Sequence, residues 1–189
     1  RGIKTLEKPV GVKVSELGLT SNNQPWSLAF WVKFNSFAGN TQIVDMRDPG
    51  TTWPQNNWGT MWTSYDPSNG VYEVTLREKN AGGAKEYKQR WKADFVPGAW
   101  THFTLAMNGN GTTTKPMLYI NGKAAKAYNW EYNGQTGDGI NPNGFANNAW
   151  WSDNVLGISL GRAFASAING TVDDVKFFNK AISQEEAAK

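Results

Sequence analysis

The chain contains no cysteine. That excludes disulfides, thiol catalysis and cysteine-ligated zinc. It leaves export open, since secreted bacterial proteins are often cysteine-free, but argues against a small animal extracellular module. Histidine is nearly absent as well, with His102 the only one. Apolar runs are no longer than a strand, so no transmembrane helix and no membrane insertion are expected. No leader precedes Arg1, and that start reads as a mature or trimmed product. Neither sign of charge dominates: 19 Lys and Arg face 16 Asp and Glu, for a net +3. The densest basic stretch, residues 85–92, interleaves Lys and Arg with Glu86, Tyr87, Gln89 and Trp91. It reads as a solvated strand of mixed charge. A nucleic-acid partner would require a one-faced basic patch, so none is expected.

What is plentiful is tryptophan, with ten residues, and glycine, with 20, alongside many asparagines. A core of this size needs fewer Trp rings. Trp on loops together with Asn and Asp is the composition of a sugar-binding surface. Ring faces stack on the C–H faces of a pyranose, while amides and carboxylates take the hydroxyls. The length of 189 residues suits a single domain, residues 1–189.

The pattern along the chain is a short strand followed by a turn, repeated. In 26–34, Trp26, Leu28, Phe30, Val32 and Phe34 share one face, with Trp31 and Lys33 on the other. Another strand is expected over 100–107, with Phe103, Leu105 and Met107 facing one way. A third, 116–120, ends in Asn121-Gly122, a type I′ signal that predicts 123–130 as its hairpin partner. Trp26 and Trp100 look most core-like, and Trp31, on the opposite face of its strand from Leu28 and Phe30, is a candidate for lining a concave surface. The good helix signal is terminal: Ser183 and Glu186 form a capping box, with Ile182 as hydrophobic staple. Two segments, 48–58 and 132–153, are too long and polar for simple turns and are read as functional loops.

Several stretches carry a family resemblance when taken in order. They are Trp26-Ser-Leu-Ala-Phe-Trp-Val-Lys33, Trp100-Thr-His-Phe-Thr-Leu105, Leu118-Tyr-Ile-Asn-Gly-Lys123, Leu160-Gly-Arg162 and Gly170-Thr-Val-Asp-Asp-Val-Lys-Phe-Phe-Asn-Lys-Ala-Ile-Ser183. Nearly the whole chain thereby resembles the laminin G-like and pentraxin-like branch of the concanavalin A-like lectins and glucanases. The resemblance implies an all-β, two-sheet antiparallel β-sandwich, a jelly roll, with a short C-terminal helix. It also implies binding sites on a concave face or its rim. Some relatives place a structural calcium ligand where Asp173 stands; a turn cap or a Lys partner is the alternative role.

Catalysis on this fold would need two carboxylates facing a sugar cleft. The family's glucanases carry Glu-x-Asp-x-x-Glu, which is missing here: between Glu73 and Glu78 the intervening position is Thr75, and Asp173 and Asp174 are adjacent. His102 lies in a Trp-x-His strand and reads as a packing residue. The expectation is therefore a non-catalytic carbohydrate-binding domain, excised from a longer bacterial secreted or cell-surface protein, with a glycan or polysaccharide as partner. A protein-binding adhesion module and a structural accessory domain are the alternatives. The expected carbohydrate site comprises Trp53, Trp58, Trp150 and Trp151 as stacking rings, with Tyr132, Asn56, Asn148 and Asp153 beside them.

Overall fold

The computed structural model describes residues 3–4, 10–21, 23–37, 39–47, 61–78, 85–146, 155–158 and 166–189. Fourteen strands are present among them: β1 (Ile3–Lys4), β2 (Val10–Lys13), β3 (Trp26–Ser36), β4 (Val44–Arg47), β5 (Met61–Asp66), β6 (Val71–Glu78), β7 (Lys85–Lys92), β8 (Trp100–Gly109), β9 (Thr114–Ile120), β10 (Lys123–Ala124), β11 (Lys126–Tyr132), β12 (Gln135–Asp138), β13 (Val155–Ile158) and β14 (Asn169–Phe178). One sheet has six strands in the order β1-β14-β3-β8-β9-β10; the other has eight, β12-β11-β7-β6-β5-β4-β13-β2. The pairings are antiparallel, and the two sheets pack as the expected β-sandwich. The helix α1 (Gln184–Ala187) follows Ser183, whose hydroxyl accepts from Glu186 N–H while Glu186 reaches back to Ser183 N–H.

The core lies between the sheets because strand side chains alternate. From the six-stranded sheet come Trp26, Leu28, Phe30, Val32 and Phe34 on β3, and Phe103, Leu105 and Met107 on β8, all buried. Phe30 and Phe103 meet with ring centroids 4.9 Å apart. The eight-stranded sheet answers with Met61 and Tyr65, Tyr72, Val74 and Leu76, and Tyr87 and Trp91. Leu118 and Val172 are buried as the patterns imply; Ile120, Val175 and Phe177 are half-buried and pack on the core rim. On β14 the alternation survives because of a bulge. Asp174 adopts φ 49°, the register shifts between Asp173 and Lys176, and Val175 and Phe177 are returned to the core side.

Three expectations need correction. Trp100 is 42% exposed, because it begins β8 opposite Lys33 on the outer face. The Asn121-Gly122 turn forms with both φ positive, as type I′ requires, but the returning strand is only two residues long. The chain then crosses to the other sheet, where β11 pairs with β7. The segment from 132 opens with a second hairpin, β11–β12, around Asn133-Gly134, again with both φ positive.

The two rings Trp91 and Trp100 make opposite predictions. Trp91 is fully buried, so Trp91→Ala should lower unfolding free energy by about 3–5 kcal/mol in a denaturant titration. Trp100→Ala should cost less than about 1 kcal/mol. A large loss at Trp100 would place that ring in the core after all.

Candidate functional site

Residues between the core positions of the eight-stranded sheet project outward in rows. Cross-strand pairing aligns Ser64, Glu73, Arg90 and Asn129 in one row, and Asp66, Val71, Lys92 and Lys126 in the next. A third row, Trp62, Thr75, Lys88 and Glu131, lies on the other side of the first. Ser64, Glu73 and Arg90 of the first row and Asp66, Val71 and Lys92 of the second line a hollow of about 400 Å³, together with Asn40, Asn69 and Tyr128. Pockets of this size accept small ligands such as sugars.

The side chains of the hollow are held in place by each other. Arg90 donates through Nε to Glu73 Oε2 at 2.5 Å and through Nη1 to Asn129 Oδ1 at 3.1 Å, and its Nη2 lies 3.5 Å from Glu131. Glu73 Oε1 accepts from Thr75 Oγ1 at 2.9 Å. Asp66 accepts from Ser68 N–H and from the Asn69 amide, the latter at 2.6 Å. That amide, and the turn's backbone N–H groups, hold the Asp66 carboxyl below the usual carboxylate range, with Lys92 adding a smaller pull. Lys92 Nζ lies 4.5 Å from the centroid of the Tyr128 ring and donates to Asn69 O at 3.2 Å. Tyr128 is 45% exposed, standing at a β11 bulge where the register shifts between Ala127 and Asn129.

The far edge of this surface is fastened from the core side. Gln89, between Lys88 and Arg90, points inward and is fully buried. Its amide donates to Asn129 O at 3.1 Å and Gly139 O at 2.8 Å, and its Oε1 accepts from Tyr87 Oη and Asn141 N–H. One residue thus ties β7 to β11 and to the turn after β12, next to the row that presents Arg90 and Asn129.

Of the expected sugar-binding residues, Trp53, Asn56, Trp58, Asn148, Trp150, Trp151 and Asp153 lie outside the described residues. The strand residues flanking their segments, Arg47 and Val155, are cross-strand partners in the same eight-stranded sheet. Tyr132 differs from expectation. It pairs with Tyr87 on the inner face, and its ring packs edge-on against Phe145 at 5.5 Å. His102 lies on the other sheet, its ring 5.1 Å from Trp31. Burial, and then Lys176, lowers its pKa. Its backbone N–H donates to the Asn121 side chain at 2.8 Å and so braces the hairpin turn.

Asp173, the expected calcium ligand, stands on β14 where the bulge begins. Calcium takes about six to eight oxygens. One Asp173 oxygen accepts from Asp174 N–H at 2.8 Å, and the Asp174 carboxylate is paired with Lys176 at 2.7 Å. No group of three or more acidic or histidine side chains suited to a metal occurs among the described residues.

Sequence reading passed over Ser64, Asp66, Asn69, Glu73, Arg90, Lys92, Tyr128 and Asn129 as site residues. The signal was present in the stretch 85–92: Glu86, Lys88, Arg90 and Lys92 alternate with Tyr87, Gln89 and Trp91, so the charges share one face.

A family model described as the concanavalin A-like lectin/glucanases superfamily, of laminin G type, matches residues 10–188. The chain belongs to that superfamily. None of the curated proteins matches it in sequence. Among solved structures it is similar to the CBM40 domain of Ruminococcus gnavus IT-sialidase bound to α2,3-sialyllactose. The two are 14% identical, with 99% of this chain and 94% of that one covered and a TM-score of 0.62. It is also similar to Trypanosoma rangeli sialidase in complex with the inhibitor DANA, at 17% identity and TM-score 0.59; the match covers 99% of this chain but 26% of the sialidase. A heptameric SAP-like pentraxin from Limulus polyphemus is 15% identical, with 87% and 68% covered and a TM-score of 0.50. At such identities the likeness shows the fold, which is lectin-like.

Two outcomes follow from this geometry. A carboxyl with a depressed pKa keeps its charge as pH falls, so Asp66 should titrate below the ordinary Asp value of about 3.9 by NMR. Asn69→Ala should move that midpoint upward; a midpoint at or above the ordinary value would contradict the hydrogen-bonding scheme. Calcium held by Asp173 should raise the thermal unfolding temperature by several degrees in millimolar calcium over that in chelator, and equal temperatures would remove Asp173 as a ligand.

Proposed function

We propose that this chain is a non-catalytic carbohydrate-binding module that holds a glycan against the outer face of its eight-stranded sheet. The observation that carries the reading is the hollow itself. It is sugar-sized, floored by converging amides and charged groups, with one exposed aromatic ring, Tyr128, at its edge. Polar groups already fixed by neighbours bind hydroxyls without paying to be ordered. The lectin-like fold, shared with a CBM40 domain bound to sialyllactose, supports the same reading.

Binding without cleavage fits the two carboxylates in the hollow. A glycosidase needs a carboxyl protonated near neutral pH to act as general acid. Asp66 is shifted the other way, and Glu73 is engaged by the Arg90 guanidinium. The module works outside the cell, within a larger secreted or surface-attached bacterial protein that handles glycans.

A second reading, protein adhesion, draws on a different observation. On the outer face of the six-stranded sheet, Trp31 and Trp100 are 39% and 42% exposed. His102 packs on Trp31, and Lys33 lies over Trp100.

A glycan array on the purified chain, followed by calorimetric titration of the best oligosaccharide, separates the two. Tyr128→Ala should weaken binding by about tenfold to a hundredfold with little change in melting temperature. Trp31→Ala should leave affinity unchanged. Glycan binding lost with Trp31 and kept without Tyr128 would move the site to the other sheet. Oligosaccharide cleavage by the purified chain, abolished by Glu73→Gln, would overturn the non-catalytic reading.

A further inference from the structure

The charges around the hollow bear on which glycans it accepts. Every charged side chain that lines it is engaged. From β7, Arg90 is held by Glu73 of β6 and by Glu131 and Asn129 of β11. Lys92, also of β7, is drawn over the Tyr128 ring and to Asn69 O. From β5, Asp66 is held by the Asn69 amide and Ser68 N–H. Among the lining residues Arg90 and Lys92 are thus matched by the carboxylates Asp66 and Glu73, and Glu131, outside the lining, is shared between Arg90 and Lys88.

An anionic sugar needs a guanidinium or ammonium free to take its carboxylate, best as a bidentate pair. Here such a ligand would have to displace Glu73 from Arg90, against a contact of 2.5 Å. It would also approach carboxylates that repel it, Asp66 among them. Like-charge juxtaposition is the usual device by which a site rejects a wrong partner. A neutral pyranose meets no such barrier. Its hydroxyls can donate to the remaining lone pairs of Asp66 and Glu73 and accept from Asn40, Asn69 and Ser64, which line the same hollow. Its C–H face can lie on Tyr128.

We infer that the hollow selects uncharged sugars and rejects sialic and uronic acids, with the Glu73–Arg90–Glu131 chain across β6, β7 and β11 as the selecting element. This rests on the carbohydrate-binding reading above. It also sets the chain apart from the CBM40 domain whose fold it shares, which is bound to a sialylated sugar.

The test is an array of neutral oligosaccharides of gluco, galacto, manno and xylo configuration beside acidic counterparts. The acidic set includes sialyllactose against lactose and free against methyl-esterified oligogalacturonides. Wild type, Tyr128→Ala and the double variant Glu73→Gln/Glu131→Gln are compared. Wild type should bind a neutral member best, and at least about tenfold more tightly than its acidic counterpart. The double variant frees Arg90, so its response to the acidic counterpart should rise by about tenfold while its melting curve stays cooperative. Tightest binding to an acidic glycan, lost in Tyr128→Ala, would overturn the selectivity while leaving glycan binding at this hollow intact. An unchanged acidic response in a folded double variant would overturn the assigned selecting element. If wild type bound nothing on the array, the carbohydrate-binding reading itself would fall, and the selectivity with it.

Discussion

The period-two alternation of β5, β6, β7 and β11 governs both the core and the outer surface of this protein. The strand-centre residues that line the hollow each sit between two that face the core. Glu73 lies between Tyr72 and Val74, Arg90 between Gln89 and Trp91, Ser64 between Thr63 and Tyr65. Burial of the large rings fixes the register, since a slip of one residue would expose Tyr72, Tyr87 and Trp91 and bury the charges. The same constraint lines up Ser64, Glu73, Arg90 and Asn129 across four strands. The ion-pair chain is thus a consequence of packing on the opposite side of the sheet.

Two departures from strict alternation matter as much as the rule. The bulge in β11 turns Tyr128 outward beside Lys92 while Trp130 and Tyr132 keep their inner partners Gln89 and Tyr87. Gln89 then makes good the backbone groups that this irregular edge leaves open, bonding Asn129 O, Gly139 O and Asn141 N–H. A buried amide whose hydrogen bonds are satisfied can rigidify an edge at little cost. The bulge at Asp174 does comparable work in the other sheet by restoring Val175 and Phe177 to the core side.

The fold was largely legible in the residues. Alternation in 26–34 placed Trp26, Leu28 and Phe30 inside, and the Ser183–Glu186 capping box marked the helix. Trp100 was misjudged because aromatic character was taken for burial, although its place at the start of β8 opposite Lys33 leaves it outside. The strand after Asn121-Gly122 was drawn too long because turn chemistry specifies a reversal, not how far the returning chain stays in its sheet. The hairpin around Asn133-Gly134 carried the same turn signal within a stretch read as loop. The hollow was missed for a different reason. Its residues come from four strands, the turn at Asn69 and the bend at Asn40, and only the pairing register brings Asp66, Glu73, Arg90 and Tyr128 together. Mixed charge at 85–92 read as solvation, when the alternation already placed it on one face.

The central claim is that this face is where a glycan sits. An amide NMR titration with the best-bound oligosaccharide tests it without altering the protein. The account predicts the largest shifts at Ser64, Asp66, Glu73, Arg90, Tyr128 and Asn129, with Trp31, His102 and Trp100 unmoved. Shifts clustered on Trp31, His102 and Trp100, with the hollow silent, would contradict it.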